Sequence, residues 1–214
     1  MRVLPKKNSR FSALILQHVK DNIKAYIIVS IILLIGIILG VILINNMNEV
    51  QKQEINTYLS DFTTSLKNGS EVDHLQLLKK SIINNIILVL FMWFVGSTVI
   101  GIPFVMGMVA FRGFCLGYTI SSIIAIWGTG KGMLFFVTSL LLQNLIFIPC
   151  LIALAVSGIK LYKSIIKDKR KENIKFEIFR HTIFSLFVLI LLVASSLIET
   201  YVSSNLLELC IGQF

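Results

Sequence analysis

Charge is scarce in this chain: Asp, Glu, Lys and Arg together make up 14% of 214 residues, against about 25% in an ordinary soluble domain. Cysteine and proline are rarer still, at three each. Cys115, Cys150 and Cys210 are widely spaced, and the first two sit in apolar stretches where a thiol behaves as a small hydrophobe, so neither a disulfide framework nor a metal site is expected. The three histidines, His18, His74 and His181, are scattered and form no His-Glu-x-x-His pair. Acidic residues are missing from every long apolar block, which argues against a paired-aspartate intramembrane protease and against most proton-coupled pumps. No nucleotide loop is expected either. Gly128-Thr-Gly-Lys-Gly132 has the wrong glycine spacing, and no Ser or Thr follows Lys131.

What fills the chain instead is apolar: 56% of residues are hydrophobic and the mean hydropathy is +0.84. The apolar residues come in long blocks, a pattern that requires lipid as solvent. An all-α polytopic membrane protein with five transmembrane helices follows, its N-terminus in the cytoplasm and its C-terminus outside. The expected spans are residues 25–44, 82–102, 104–127, 133–158 and 182–198. The first begins too far along the chain, and is too long, for a cleaved signal peptide.

Orientation rests on the basic residues. Arg2, Lys6, Lys7, Arg10, Lys20 and Lys24 precede the first span, and residues 159–181, a second cytoplasmic segment, carry eight basic residues between Lys160 and Arg180. The tail, residues 199–214, carries Glu199 and Glu208 and no basic residue, which places it outside. Residues 45–81 form a near-neutral outward loop. In it Ile55, Tyr58, Leu59, Phe62 and Leu66 recur at helical spacing, an amphipathic helix before the Asn68-Gly69 break. The net charge of +9 sits beside the apolar blocks, where it meets anionic lipid; no basic stripe interleaved with aromatics points to nucleic acid.

A few residues inside the blocks stand out. Arg112 is expensive in an apolar helix unless it snorkels to the headgroups, meets Gln143, Asn144 or a freed carbonyl, or binds a substrate anion. Gln143 and Asn144 are expected to face protein as interhelical hydrogen-bonding groups. Pro149 frees a carbonyl near Leu145. Gly36 with Gly40, and Gly113 with Gly117, are small-xxx-small pairs, read as packing seams within the chain or as faces for a partner or a second copy. Pro103 marks a turn or kink, and a re-entrant pair of half-helices over Gly96 to Phe111 is the alternative at that junction.

The stretch Phe111-Arg-Gly-Phe to Gly128, Lys131-Gly132 and Leu140-Leu-Leu-Gln-Asn-Leu-Ile-Phe-Ile-Pro149 resembles the bacterial stage II sporulation protein M family. Arg112-Gly113, Gln143-Asn144-Leu145 and Ile148-Pro149 carry the likeness, while Leu142 stands where the family usually has proline. The resemblance implies a non-catalytic scaffold without cofactors in the engulfing mother-cell membrane of an endospore-forming Firmicute. It also implies two partners at the septum, the cell-wall hydrolases stage II sporulation proteins D and P. A transporter or permease subunit using Arg112 and Gln143/Asn144 is the competing class, and a subunit docking a soluble partner through the basic residues 160–180 is another.

Overall fold

The structure is a computed structural model that describes residues 17, 19–67, 74–98, 101–167, 171–203 and 205. The basic N-terminal residues to 16, His18, the Asn68-Gly69 break, residues 168–170, and Glu208 and Cys210 of the tail lie outside the described residues, as do the side chains of Phe62 and Leu66. All regular structure among the described residues is helical. Helix α1 is Ile23–Asn45, α2 is Glu49–Lys67 and α3 is His74–Gly96.

A long helical stretch beginning at Gly101 is interrupted at Gly128, whose φ of 78° and ψ of 168° belong to a region essentially reserved for glycine. Its two parts, residues 101–127 and 129–167, are α4 and α5. They form a hairpin. Trp127 meets Phe135 edge-on at 5.4 Å beside the turn, and Arg112 lies 4.8 Å from the ring centroid of Phe147 further along, so the helices run antiparallel. Helix α6, Lys171–Ile198, continues without a break into a π-helical segment, Glu199–Ser203.

Four stretches have the length and apolarity to cross a membrane: Ile23–Asn45, His74–Gly96, Gly101–Ile166 and Ile174–Ser203. The third has 66 residues, about 100 Å of helix if straight, and is the folded hairpin. The chain is therefore an all-α polytopic membrane protein. Cross-contacts set the relative directions of its five apolar rods. Gly36 and then Gly40 of α1 meet Ala110 and then Gly117 to Tyr118 of α4, a parallel pair. Ser81 and Asn85 of α3 meet Ser196 and Leu192 of α6, and Gln143 and Ser157 of α5 meet Ser195 and His181 of α6, both antiparallel. The rods α1, α3, α4, α5 and α6 thus alternate in direction.

The core runs through all five rods and includes Val29, Met92, Val109, Leu154, Ala155 and Leu192, each at most 1% exposed. The outer faces are equally apolar. Ile27, Ile31, Leu34, Ile38 and Leu39 of α1 are each about half exposed, as are Ile87 and Leu90 of α3 and Ile183 and Ile190 of α6, an apolar surface suited to lipid rather than water.

Helix boundaries differ from the sequence expectation at several places. Helix α3 starts at His74 rather than near Ile82 and stops at Gly96, so Ser97 and Thr98 are not part of it. Gly101 opens α4, and Pro103 lies in its first turn, where a missing N–H costs nothing. Residues 101–127 are one uninterrupted helix, so no re-entrant pair forms there. The expected loop 159–181 is mostly helix, since α5 runs to Lys167 and α6 begins at Lys171. Hydropathy locates the apolar surface, but the hydrogen-bond ladder has no reason to stop there when Lys, Glu and Ile continue it.

Candidate functional site in the helix bundle

The π-helical end of α6 turns Glu199 inward, towards α3 and α5. Its carboxylate accepts a hydrogen bond from Gln143 Nε2 of α5 at 2.7 Å and another from the Ser81 hydroxyl of α3. The Ser81 and Ser196 hydroxyl oxygens are 3.0 Å apart; Ser81 has one proton to give, and the carboxylate is the stronger acceptor. One turn along, Asn85 Nδ2 donates to Ser196 Oγ at 2.8 Å and to the Leu192 carbonyl at 3.2 Å. Ser195 Oγ donates to the Gln143 carbonyl at 3.1 Å. These bonds tie α3, α5 and α6 together through groups that would otherwise be costly in lipid.

Glu199 corrects the sequence reading twice. It was expected in an outward tail, and the apolar spans were expected to be free of acids. Instead it lies in the candidate span Ile174–Ser203 with its carboxylate engaged by two other helices. The apolar run of α6 ends just before it, so hydropathy places it outside. The contact that draws it in comes from Ser81, 118 positions away.

Arg112 sits on the α4 side of the same region, half-buried, with its guanidinium over the Phe147 ring at 4.8 Å. Among the described residues no carboxylate lies within 4 Å of it and none of its N–H groups is hydrogen-bonded. Arg112, Gln143, Asn144 and Glu199 line one cavity of about 410 Å3, with Lys80 at an exposed position on its wall. A cavity of that size can take a small ligand or several waters. Cys115 also lines it, as a free thiol. Among the described residues no group of three His, Cys, Asp or Glu side chains converges as a metal site would require.

The other singled-out residues divide. Gln143 bonds across helices, whereas Asn144 Nδ2 donates to the Leu140 carbonyl of its own helix at 2.8 Å. That carbonyl belongs to a π-helical segment, Phe136–Leu141, which the sequence reading missed. Its one local signal is Thr138, whose hydroxyl bonds back to the Leu134 carbonyl at 2.9 Å, a contact that loosens a helix. π-Helical turns recur at functional sites, and this one ends two residues before Gln143. Pro149 is exposed on α5, away from the polar cluster.

The four glycines form a single seam. A Cβ on Gly36 would lie 2.1 Å from the Ala110 carbonyl oxygen, and one on Gly117 would lie 2.1 Å from that of Ile37. Gly40 and Gly113 are equally tight, against Phe114 and Leu33. Backbone therefore touches backbone along α1 and α4, which only residues without side chains allow.

A second polar contact was also illegible in the sequence. His181, placed at the end of a loop by hydropathy, is 2% exposed, and its Nδ1 is 2.8 Å from Ser157 Oγ between α5 and α6. Gly96 of α3 packs against its ring and against Gly158, so α3 closes over this pair.

Neither a curated protein nor a solved structure matches the chain. The family model for stage II sporulation protein M matches residues 29–204, from the buried Val29 of α1 to just past the π-helical end of α6. That match takes in the glycine seam, Arg112, Gln143 and Glu199 alike, and the chain belongs to the stage II sporulation protein M family.

Proposed function

We propose that this sporulation-related membrane protein is a non-catalytic scaffold that recruits stage II sporulation proteins D and P, two cell-wall hydrolases, to the septal and engulfing mother-cell membrane during endospore formation. Family membership supplies the sporulation context. The alternating directions of the five rods suit five crossings, with the N-terminus in the cytoplasm and the C-terminus outside.

The observation that carries the reading is the difference between the two ends of the bundle. At one end lie α2, the α4–α5 reversal at Gly128 and the π-helical end of α6. At the other lie the basic residues Lys160, Lys163, Lys175 and Arg180, which positive-inside bias assigns to the cytoplasm. Helix α2 therefore faces the wall compartment. Asn48 and Gln51 cap it reciprocally, with the Gln51 N–H donating to Asn48 Oδ1 at 2.9 Å and the Asn48 N–H donating to Gln51 Oε1 at 3.2 Å. It rests on the hairpin through Leu59 and leaves Glu49, Gln53 and Thr57 exposed. Val50 and Tyr58 are exposed as well, so the outward face of α2 mixes polar and apolar groups of the kind a wall enzyme can dock on.

The test is detergent co-purification of the tagged protein from sporulating cells, with a parallel deletion of Glu49 to Asp73. Recovery of both hydrolases, lost with the deletion, is the expected outcome. Recovery of an ATPase or a solute-binding protein instead, with neither hydrolase, overturns the scaffold.

The polar cavity favours a second reading, a permease subunit whose pathway uses Arg112 and Gln143/Asn144, because those three side chains meet on one cavity wall. Arg112→Leu separates the two. Transport lost while hydrolase recovery is unchanged supports the permease, and altered folding or recruitment supports the scaffold.

A further inference from the structure

Helix α5 departs from the α-helical hydrogen-bond ladder twice, and the chain repairs only one of the two defects. The first is the π-helical segment Phe136–Leu141, where the Leu140 carbonyl takes a donor from Asn144 Nδ2 at 2.8 Å. The second is Pro149. Proline has no N–H, so the Leu145 carbonyl one turn earlier loses its α-helical donor, and no side chain among the described residues replaces it. Leu145 is 67% exposed and Pro149 is exposed too, so the carbonyl between them opens away from the bundle core.

Depth decides what can reach that carbonyl. Arg112 lies near the middle of α4, and Phe147, under its guanidinium, stands between Leu145 and Pro149 on α5. At about 1.5 Å per residue this level is more than about 15 Å from either end of α4, near the centre of a hydrocarbon core of about 30 Å. Headgroups and water lie too far away, and an acyl chain has no donor. In such a place a carbonyl freed by proline is tolerated where a neighbouring helix supplies its partner.

The same surface is hollowed for one. A groove of about 310 Å3 is walled by Phe136, Leu141, Asn144, Leu145, Ile148 and Pro149. The one amide among them, Asn144, already bonds within its own helix, so the walls are apolar apart from the unpaired backbone oxygen.

We propose that this groove docks a transmembrane helix of another protein, one that brings apolar side chains to fill it and a hydroxyl or amide donor, near its middle, for the Leu145 carbonyl. A second copy of this chain meeting it face to face would bring only the same apolar side chains and the same unpaired carbonyl, so the helix belongs to a different protein. The inference depends on the chain spanning the membrane and not on the recruitment of either hydrolase.

The test uses the full chain in its native membrane, with the photo-cross-linker p-benzoylphenylalanine in place of Leu145 and the attachment point mapped by mass spectrometry. The expected adduct is to a transmembrane segment of another protein, with Ser, Thr, Asn or Gln within one turn of the linked residue. The same probe at Ile190 of α6, 62% exposed to lipid, should give no such adduct. Pro149→Leu returns an N–H to the Leu145 carbonyl and leaves the face apolar, so the chain should fold at least as well while the adduct falls about threefold, the worth of one average hydrogen bond in a membrane bundle. Alanine in place of the partner's mapped donor should lower it by about the same factor.

An adduct to a second copy or to residues 204–214 of the same chain overturns the proposal, as does equal labelling from positions 145 and 190 or a yield unchanged by Pro149→Leu. Failure to recover either hydrolase, with this adduct intact, would instead overturn the scaffold and leave the groove standing.

Discussion

Two lines of contact hold the bundle, and they are built in opposite ways. Along α1 and α4 the contact depends on side chains that are missing: Gly36, Gly40, Gly113 and Gly117 let carbonyl oxygens come to where a Cβ would otherwise be. Among α3, α5 and α6 it depends on side chains that reach, from Ser81, Asn85, Gln143, Ser195 and Glu199. The first line fails by collision with backbone, which cannot move aside. The second is shared among several hydrogen bonds, each averaging about 0.6 kcal/mol in a membrane bundle and reaching about 1.7. A steric seam should therefore be nearly all-or-none, and a polar cluster should weaken by degrees.

The sharpest way to break this contrast is Gly117→Leu, whose Cβ would meet the Ile37 carbonyl at 2.1 Å. A loss of about 3 kcal/mol or more, or failure to accumulate, is expected in denaturant unfolding in mixed micelles. Gly107→Ala is the control. Nothing lies within 4 Å of its Cβ position, so stability should be unchanged or raised by up to about 1 kcal/mol through better helix propensity. Wild-type stability for Gly117→Leu would mean that α1 and α4 do not touch as described.

Next in size is Glu199→Leu, which strands the Gln143 amide and leaves the Ser81 hydroxyl only Ser196 as acceptor, and should cost about 1–3 kcal/mol by the same measurement. Glu199→Gln keeps an acceptor for Ser81 and should cost less. A gain in stability for Glu199→Leu would show that the buried carboxylate is a burden, as some buried charges are, and that it is retained for something other than holding the helices. Smaller still is the coupling between Asn85 and Ser196. A double-mutant cycle with alanine at both positions should return about 0.6–1.7 kcal/mol, and a value near zero would remove Asn85 from the cluster.

The smallest effect is expected for Asn144→Ala. Its bond stays within one helix, so the loss should be about 0.5–1 kcal/mol with no change in how the helices associate in a cross-linking assay. If Asn144→Ala instead matched Glu199→Leu, the division between local and interhelical bonding drawn at Gln143-Asn144 would be wrong.

The glycine seam was half legible. A four-residue spacing of glycines is a local pattern, and each pair could be read as a surface where a backbone comes close. Which surface each pair meets is not local, and the structure answers it by setting the two pairs against each other. Arg112 was legible as a residue needing compensation, because its cost in an apolar block follows from its chemistry alone. Its neighbours were only partly legible: it shares a cavity with Gln143 and Asn144, but its guanidinium lies over the Phe147 ring. Glu199 and His181 were not legible at all. Each sits at the edge of an apolar run, where hydropathy changes sign, and each is drawn inward by a partner on another helix.

The sequence by itself determined that this chain takes lipid as its solvent, that it is helical, and roughly where its apolar rods lie. Those follow from the transfer free energy of each block and from the need to satisfy every backbone group inside a membrane, and both can be evaluated one segment at a time. Only the tertiary structure decided that Glu199 meets Ser81 and Gln143, that Arg112 is left facing a cavity, and that a groove opens beside Leu145 and Pro149. A hydrogen bond between residues 118 positions apart depends on how several helices are turned about their axes at once. No segment carries that information alone, because the rotation of each helix is set by the packing of all the others.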